Sequence, residues 1–333
     1  MKDVSVLLPT RNSMPYLSAH VERVRRWMDM VEEVIVVDSE STDGTAEFLQ
    51  DALAGPKLRF FDHPPGLYES WNFGIAHARA RYLYVSTVGD GVDRLGLTHL
   101  IEIADREKAD VVVSPPRFIH ASRQTPRKYE WPIHWLIENA GITEPRRISA
   151  MQAFLVTSLF IPSGILGSSA SNLYRTEMVQ RYPFPTNFGR QGDTAWALEN
   201  ALRVRWALTP HVLSDFVLHG YPEGEGRGQI IDLKRRLFEL AEQSREAFKG
   251  GALTLIGNAP GSDLYFDLKA VLSKLTPLEE EMTRLRKDSV PWSLRPSAWK
   301  VRRKRNLLRL PLRKISSQIA AMDPCVDFDQ SRN

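Results

Sequence analysis

The stretch Glu33-Val34-Ile35-Val36-Val37-Asp38-Ser39-Glu40-Ser41-Thr42-Asp43-Gly44-Thr45 carries an apolar run straight into a carboxylate and then into a turn of hydroxyls, acids and glycine. A helical pattern follows at once, from Ala46 to Leu53. In an open parallel sheet the carboxyl ends of the strands face the ligand crevice, so Asp38 is expected at the edge where a small molecule binds. Val4-Ser5-Val6-Leu7-Leu8 runs in the same way into Pro9-Thr10-Arg11-Asn12, which offers a hydroxyl, a guanidinium and an amide at a second strand end. Two such ends suit a nucleotide better than DNA. The plainer alternative for Asp38 is a turn residue that ends its strand.

The elements that must position these groups alternate over the first 115 residues. Strands are expected at 4–8, 33–38, 58–62, 81–86 and 110–114, with helices at 14–30, 44–54, 67–79 and 94–107. Apolar, β-rich runs separated by amphipathic helices imply a parallel, doubly wound α/β sheet. Asp43 and Gly44 fit a helix start, one as a cap and one permitting the turn. Residues 115–170 are less regular and include the apolar stretch Met151 to Ile161, as in an insertion that shapes a pocket. Mixed structure returns at 172–220, with a helix expected from Asp193 to Leu202. Beyond Gly228 the pattern is mostly helical, clearest at Ile230–Phe248 and Leu275–Arg286.

At 333 residues the chain has ample length for a buried core. Its single cysteine, Cys325, leaves no internal disulfide framework and no cysteine zinc cluster, which fits a reducing compartment. Met1-Lys2-Asp3 leads into only a short apolar strand, so no signal peptide is expected, and no apolar run approaches the roughly 20 residues of a membrane span. A cytoplasmic protein, peripheral at a membrane at most, is the expectation. The net charge of +4 is uneven: residues 295–314 hold nine Lys or Arg and no acid, leaving the remainder at −5 (+4 less +9).

Three segments in order, Val4 to Asn12, then Val34 to Thr45, then Asn72-Phe73-Gly74-Ile75-Ala76 ahead of Arg81-Tyr82-Leu83-Tyr84-Val85, resemble the nucleotide-binding half of family 2 glycosyltransferases with the GT-A fold. The resemblance covers about residues 3–220. It implies a GT-A-like, doubly wound mixed sheet flanked by helices, with a helical C-terminal extension. The division expected is a nucleotide-sugar-binding half at 1–115, an acceptor-binding half at 116–225, and a helical extension with a basic tail at 226–333. It further implies an inverting transferase that moves a sugar from a nucleotide-diphosphate donor, UDP-linked by family frequency, to a hydroxyl of a glycan or glycolipid. Pro9, Thr10, Arg11, Asn12, Asp38, Asn72 and Thr87 then become nucleotide-binding residues. A carboxylate at Asp38 can accept from a uracil imide N–H or a ribose hydroxyl, a charge-assisted bond. Many relatives carry a second acid after that Asp, where this chain has Ser39.

Phe188-Gly189-Arg190-Gln191-Gly192-Asp193-Thr194-Ala195-Trp196 resembles the family's acid at the start of a helix, which implies Asp193 as the catalytic base. A helix cap is the alternative. Gly167 to Arg175 is similar to the family's acceptor-side strand, which makes Ser171, with Arg190 and Trp196, candidate acceptor contacts. Trp131 and Trp135 are further aromatics that could stack on a sugar or pack in the core. The family's Asp-x-Asp is degenerate: Thr87 and Gly89 stand where the acids belong, and Asp90 follows one residue later. A divalent Mn or Mg ion would then rest on Asp90 and His219, with Asp93 nearby, and one carboxylate holds such a cation weakly. Without metal, Arg11 or Arg190 could offset the diphosphate charge through bidentate contacts.

The tail, Trp299 to Leu310, interleaves cations with apolar residues, as in a surface helix lying on anionic lipid. Phosphates of nucleic acid or a solvated, self-packed helix are the alternatives, and no nucleic-acid partner is expected. Two rivals to the enzyme remain. One is a non-catalytic sugar-nucleotide or glycan binder on the same fold. The other, a nucleotidyltransferase, needs a glycine-rich phosphate loop that Pro9-Thr10-Arg11-Asn12 lacks.

Overall fold

Apolar strands that must be covered on both faces build the centre of the molecule. The computed structural model describes residues 3–120, 131–218, 227–249, 262–285 and 296–322. The chain divides into two compact units, one within Met1–Glu246 and one within Ala247–Asp323. In the first, β1 (Val4–Thr10), β2 (Glu33–Asp38), β3 (Leu58–Asp62) and β4 (Tyr82–Val85) run parallel. They alternate with α1 (Met14–Arg25), α2 (Thr45–Ala52) and α3 (Leu67–His77). Every residue of β2 is buried, as a strand with helices on both faces requires.

The helix expected at 14–30 ends early. Trp27 leaves the helical conformation, buries its ring and donates its indole N–H to the Val92 carbonyl, and a short 3₁₀ turn follows. Tertiary packing overrides the local periodicity there.

The second half of the unit adds β5 (Gly91–Val92), α4 (Arg94–Glu107), β6 (Val111–Val113), β7 (Pro116–His120), α5 (Pro132–Asn139) and β8 (Arg146–Ile148). After these come α6 (Ala150–Phe160), β9 (Asn172–Arg175), α7 (Thr176–Arg181), α8 (Gly192–Asn200), β10 (Trp206–Leu208) and β11 (Ser214–Leu218). The main sheet has eight strands in the order β3-β2-β1-β4-β9-β6-β10-β8, and a small sheet is ordered β5-β11-β7. β9 lies antiparallel between β4 and β6, which makes the sheet mixed. The chain departs from β1 to β2 on one side and to β4 on the other. Their junction is the switch point where such sheets open a crevice at the strand carboxyl ends.

α9 (Arg227–Lys249) closes the first unit. Its Leu237 and Ala241 are buried, and Arg236 donates to the Asn187 carbonyl at 2.7 Å while lying over the Phe188 ring. The first unit extends to Glu246, within this helix. In the second unit α10 (Ser262–Leu285) and α11 (Pro296–Ala320) pack along each other, and Tyr265, Leu268 and Leu275 of α10 and Val301, Ile315 and Ile319 of α11 are buried. Among the described residues no helix is long and apolar enough to cross a membrane.

Candidate active site

The strand register brings the first group of residues together. Thr10 and Asp38 are direct partners across β1 and β2, and the Thr10 hydroxyl donates to Asp38 Oδ1 at 2.9 Å. The same carboxylate accepts the Ser41 amide at 2.8 Å and the Ser41 hydroxyl at 2.6 Å. Asp38 is 2% exposed, so three of its roughly four lone-pair sites are engaged within the chain. Its first task is to hold the two crevice loops in register. Asn12 does the same from the other side: it adopts a positive φ of 47°, accepts the Thr42 amide on its side-chain oxygen, and donates its own amide to Ser41. Pro9 is half-buried beside Val37, and Arg11 stands exposed just past β1. Ser39, where relatives carry an acid, is buried and shares a hydrogen bond with Ser70 on α3.

Replacing Asp38 by Ala therefore orphans two hydroxyls and an amide. The expected result is a loss of stability of about 1–3 kcal/mol together with weakened nucleotide affinity. Thermal melts beside a calorimetric titration with UDP and GDP check it; unchanged affinity would separate this turn from the nucleotide.

At the end of β4, Thr87 is half-buried and its hydroxyl meets that of Ser169, so hydroxyls meet where paired acids were looked for. Asp90 follows in the turn after β4. It is 6% exposed, and its Oδ1 accepts the Val217 amide of β11 at 2.9 Å. Burial pushes its carboxyl up to about 7, against the pull of the Val217 amide and Arg23. The bond to the Val217 amide joins β11 to the turn after β4. Asp93 caps α4 by accepting the Gly96 amide at 2.7 Å. His219 lies outside the described residues. Among the described residues no group of three or more His, Cys, Asp or Glu could hold a metal ion.

The second group gathers at the start of α8. A cleft of about 120 Å³ is lined by Trp131, the Pro162–Gly164 loop, Gly167, and residues 190, 191, 193 and 194. Asp193 retains part of its surface there, while burial pushes its carboxyl up to about 6. Hydrogen bonds from the Thr194 amide, at 2.6 Å, and from the Tyr68 hydroxyl act in the opposite sense. Tyr68 reaches across from α3: its hydroxyl lies 3.2 Å from the Arg190 carbonyl and against the Asp193 carboxylate. Gly192 makes that approach possible, because a Cβ there would stand 2.4 Å from the Tyr68 ring. Trp131 also lines the cleft, its ring laid on the backbone of Gly167, a residue at φ +58°.

Two acceptor contacts expected from sequence are buried. Trp196 is fully buried, stacked on Phe184 and donating its indole N–H to the Tyr182 carbonyl at 2.6 Å, so it is core rather than acceptor surface. Ser171 is fully buried too, and its hydroxyl pairs with Ser214 at 2.6 Å. Asn72 clamps Phe184 through its one side-chain amide, whose N–H donates to the Phe184 carbonyl and whose oxygen accepts the Phe184 amide, both at 2.8 Å, and so fixes the loop before α8. Arg190 is exposed and lines the cleft. Tyr68 is a site residue with no motif of its own in the sequence; its one signal is that it sits four residues before Asn72 on one face of α3, the spacing by which both reach the same loop. Trp135 packs against Phe160, which leaves Trp131 as the tryptophan that lines the cleft.

Residues 5–161 match the family model described as glycosyl transferase family 2. No curated protein matches the sequence. Among solved structures, S. aureus TarS residues 1–349 in complex with UDP-GlcNAc superposes with a TM-score of 0.54 at 14% identity, over 95% of this chain and 90% of that one. The mannosyltransferase PcManGT from Pyrobaculum calidifontis, in complex with GDP-Man and Mn²⁺, gives a TM-score of 0.50 at 16% identity, over 96% and 85%. At such identities the likeness establishes a shared GT-A fold.

Proposed function

We propose that the chain transfers a sugar from a nucleotide-diphosphate donor to an acceptor hydroxyl, with inversion at the anomeric carbon, a reading supported by the match of residues 5–161 to the glycosyl transferase family 2 model and by the GT-A fold. The observation that carries this reading is Asp193: a carboxylate at the first turn of α8, opening on a cleft and raised to about 6. It takes the proton of the acceptor O–H as that oxygen forms its bond to the anomeric carbon. The bond to the leaving diphosphate breaks on the opposite face, and its electron pair stays on the phosphate oxygen. Thr10, Arg11, Asn12 and Asp38 shape the nucleoside end; Arg11 and Arg190 are the guanidinium groups proposed to meet diphosphate charge. A UDP-sugar is the favoured donor, in keeping with UDP-GlcNAc in the TarS complex, and a glycan or glycolipid the favoured acceptor. The PcManGT complex holds Mn²⁺, and any metal requirement here is proposed to arise only with the donor, whose phosphates supply oxygen ligands.

Donor hydrolysis and transfer across UDP-, GDP- and dTDP-sugars, with and without Mn²⁺, test the reading. Turnover with a donor supports it. Nucleotide-sugar binding without turnover would instead favour a non-catalytic binder, the reading that the hydroxyl pair Thr87–Ser169 in place of acids supports.

The pH profile follows from Asp193. The base works only when deprotonated, so kcat/KM is expected to fall about tenfold per unit below an apparent pKa near 6. Tyr68 acts as a positioning residue, its hydroxyl favouring the anionic carboxylate. In Tyr68→Phe the acid limb should move to higher pH, because the group that lowers the pKa has gone. An unshifted limb with the same rate would show that Tyr68 only packs.

A further inference from the structure

We propose that the outward stripe of α11 is a docking surface for the anionic headgroups of a phospholipid leaflet. This does not depend on the activity proposed above. The inward residues of α11, Val301, Ile315 and Ile319, are buried, so the opposite face is the one left to solvent. Trp299, Arg303, Leu310 and Lys314 follow at intervals of four, seven and four, which places them in one row along that face. Trp299, Leu307 and Leu310 are 64%, 63% and 66% exposed, among the most exposed large apolar side chains of the described residues. Around them stand the exposed cations Lys300, Arg303, Lys304, Arg309, Arg313 and Lys314, and residues 296–320 contain no acid.

Each half of this pattern narrows the partner. Cations alone would suit any polyanion. Bulky apolar groups set among them gain nothing against a phosphate backbone in water, but they can enter the boundary between headgroups and acyl chains. Tryptophan favours that boundary because one ring edge is polar and the rest apolar. Lys and Arg lay their methylene stems along the apolar surface and keep their charge at the phosphates. Each cation near such a surface is worth about fivefold in partition, so the row acts collectively.

The test uses the full chain in co-sedimentation with phosphatidylcholine vesicles, with and without about a third phosphatidylglycerol. Binding to the anionic vesicles alone, weakened by salt, is expected. Arg303→Glu combined with Lys314→Glu should lower that binding by about 25-fold or more, at fivefold per cation lost. Trp299→Ala combined with Leu310→Ala should also lower it while leaving its salt dependence in place. All four residues are exposed, and circular dichroism checks that the variants fold. The comparison of vesicles and of salt rests on the native chain, so it decides even if a variant fails. Equal binding to neutral vesicles, or binding to neither, overturns the proposal. So does anionic-vesicle binding that the apolar double variant leaves intact and heparin abolishes, since the surface is then a general polyanion site.

Discussion

Asp193→Asn is expected to lower the rate of sugar transfer by about 10²–10⁴ while leaving donor affinity nearly unchanged. The substitution preserves shape, and the amide oxygen can still accept the Thr194 amide that the carboxylate accepts at 2.6 Å. What disappears is the proton acceptor, so the acid limb near pH 6 should disappear with it. Single-turnover transfer with a saturating donor, beside a nucleotide titration, reads both quantities. A variant that transfers at the native rate would remove Asp193 as the base. A native chain with no turnover on any donor would instead remove the enzyme reading altogether. If the variant loses donor affinity together with rate, the residue supports the site's structure and does not carry the proton.

Trp196→Ala should cost about 3–5 kcal/mol of stability, as for a large buried aromatic cut back to a methyl group. The ring is enclosed by Phe184, Tyr174 and Trp206, and its indole N–H bond to Tyr182 has no replacement. Chemical denaturation of the variant measures the loss. Trp196→Phe should recover most of it, short of the indole hydrogen bond. A side chain that stacked on an acceptor sugar would behave differently, raising KM for the acceptor in a chain of native stability. A fall in stability alone places Trp196 under the cleft, as the packing that holds α8 and hence Asp193.

Four of these placements share one physical origin. Asp90, Asn72, Ser171 and Trp196 all carry functional chemistry in principle, and each occurs within a recognisable segment. In the folded chain that chemistry is spent internally: on the Val217 amide, the Phe184 backbone, the Ser214 hydroxyl and the Tyr182 carbonyl. Buried polar groups must find such partners, and a sequence does not display them when they lie 14 to 127 residues away. Tyr68 shows the converse. Its neighbours mark it as one more aromatic of an amphipathic helix, and only the crossing of α3 against the start of α8 brings its hydroxyl to Asp193.

The sequence by itself determined the alternation of strands and helices through residue 115, the strand-end position of Asp38 and Thr10, the helix start at Asp193, and the basic character of 295–314. These depend on local periodicity, turn chemistry and charge, all of which act over a few residues and are written directly in the chain. Tertiary structure alone decided the antiparallel insertion of β9 between β4 and β6, the small sheet β5-β11-β7, the inclusion of α9 in the first unit, and which of several polar and aromatic side chains still face a cleft. Those outcomes depend on pairings between distant segments, where burial and the demand for hydrogen-bond partners outweigh local preference.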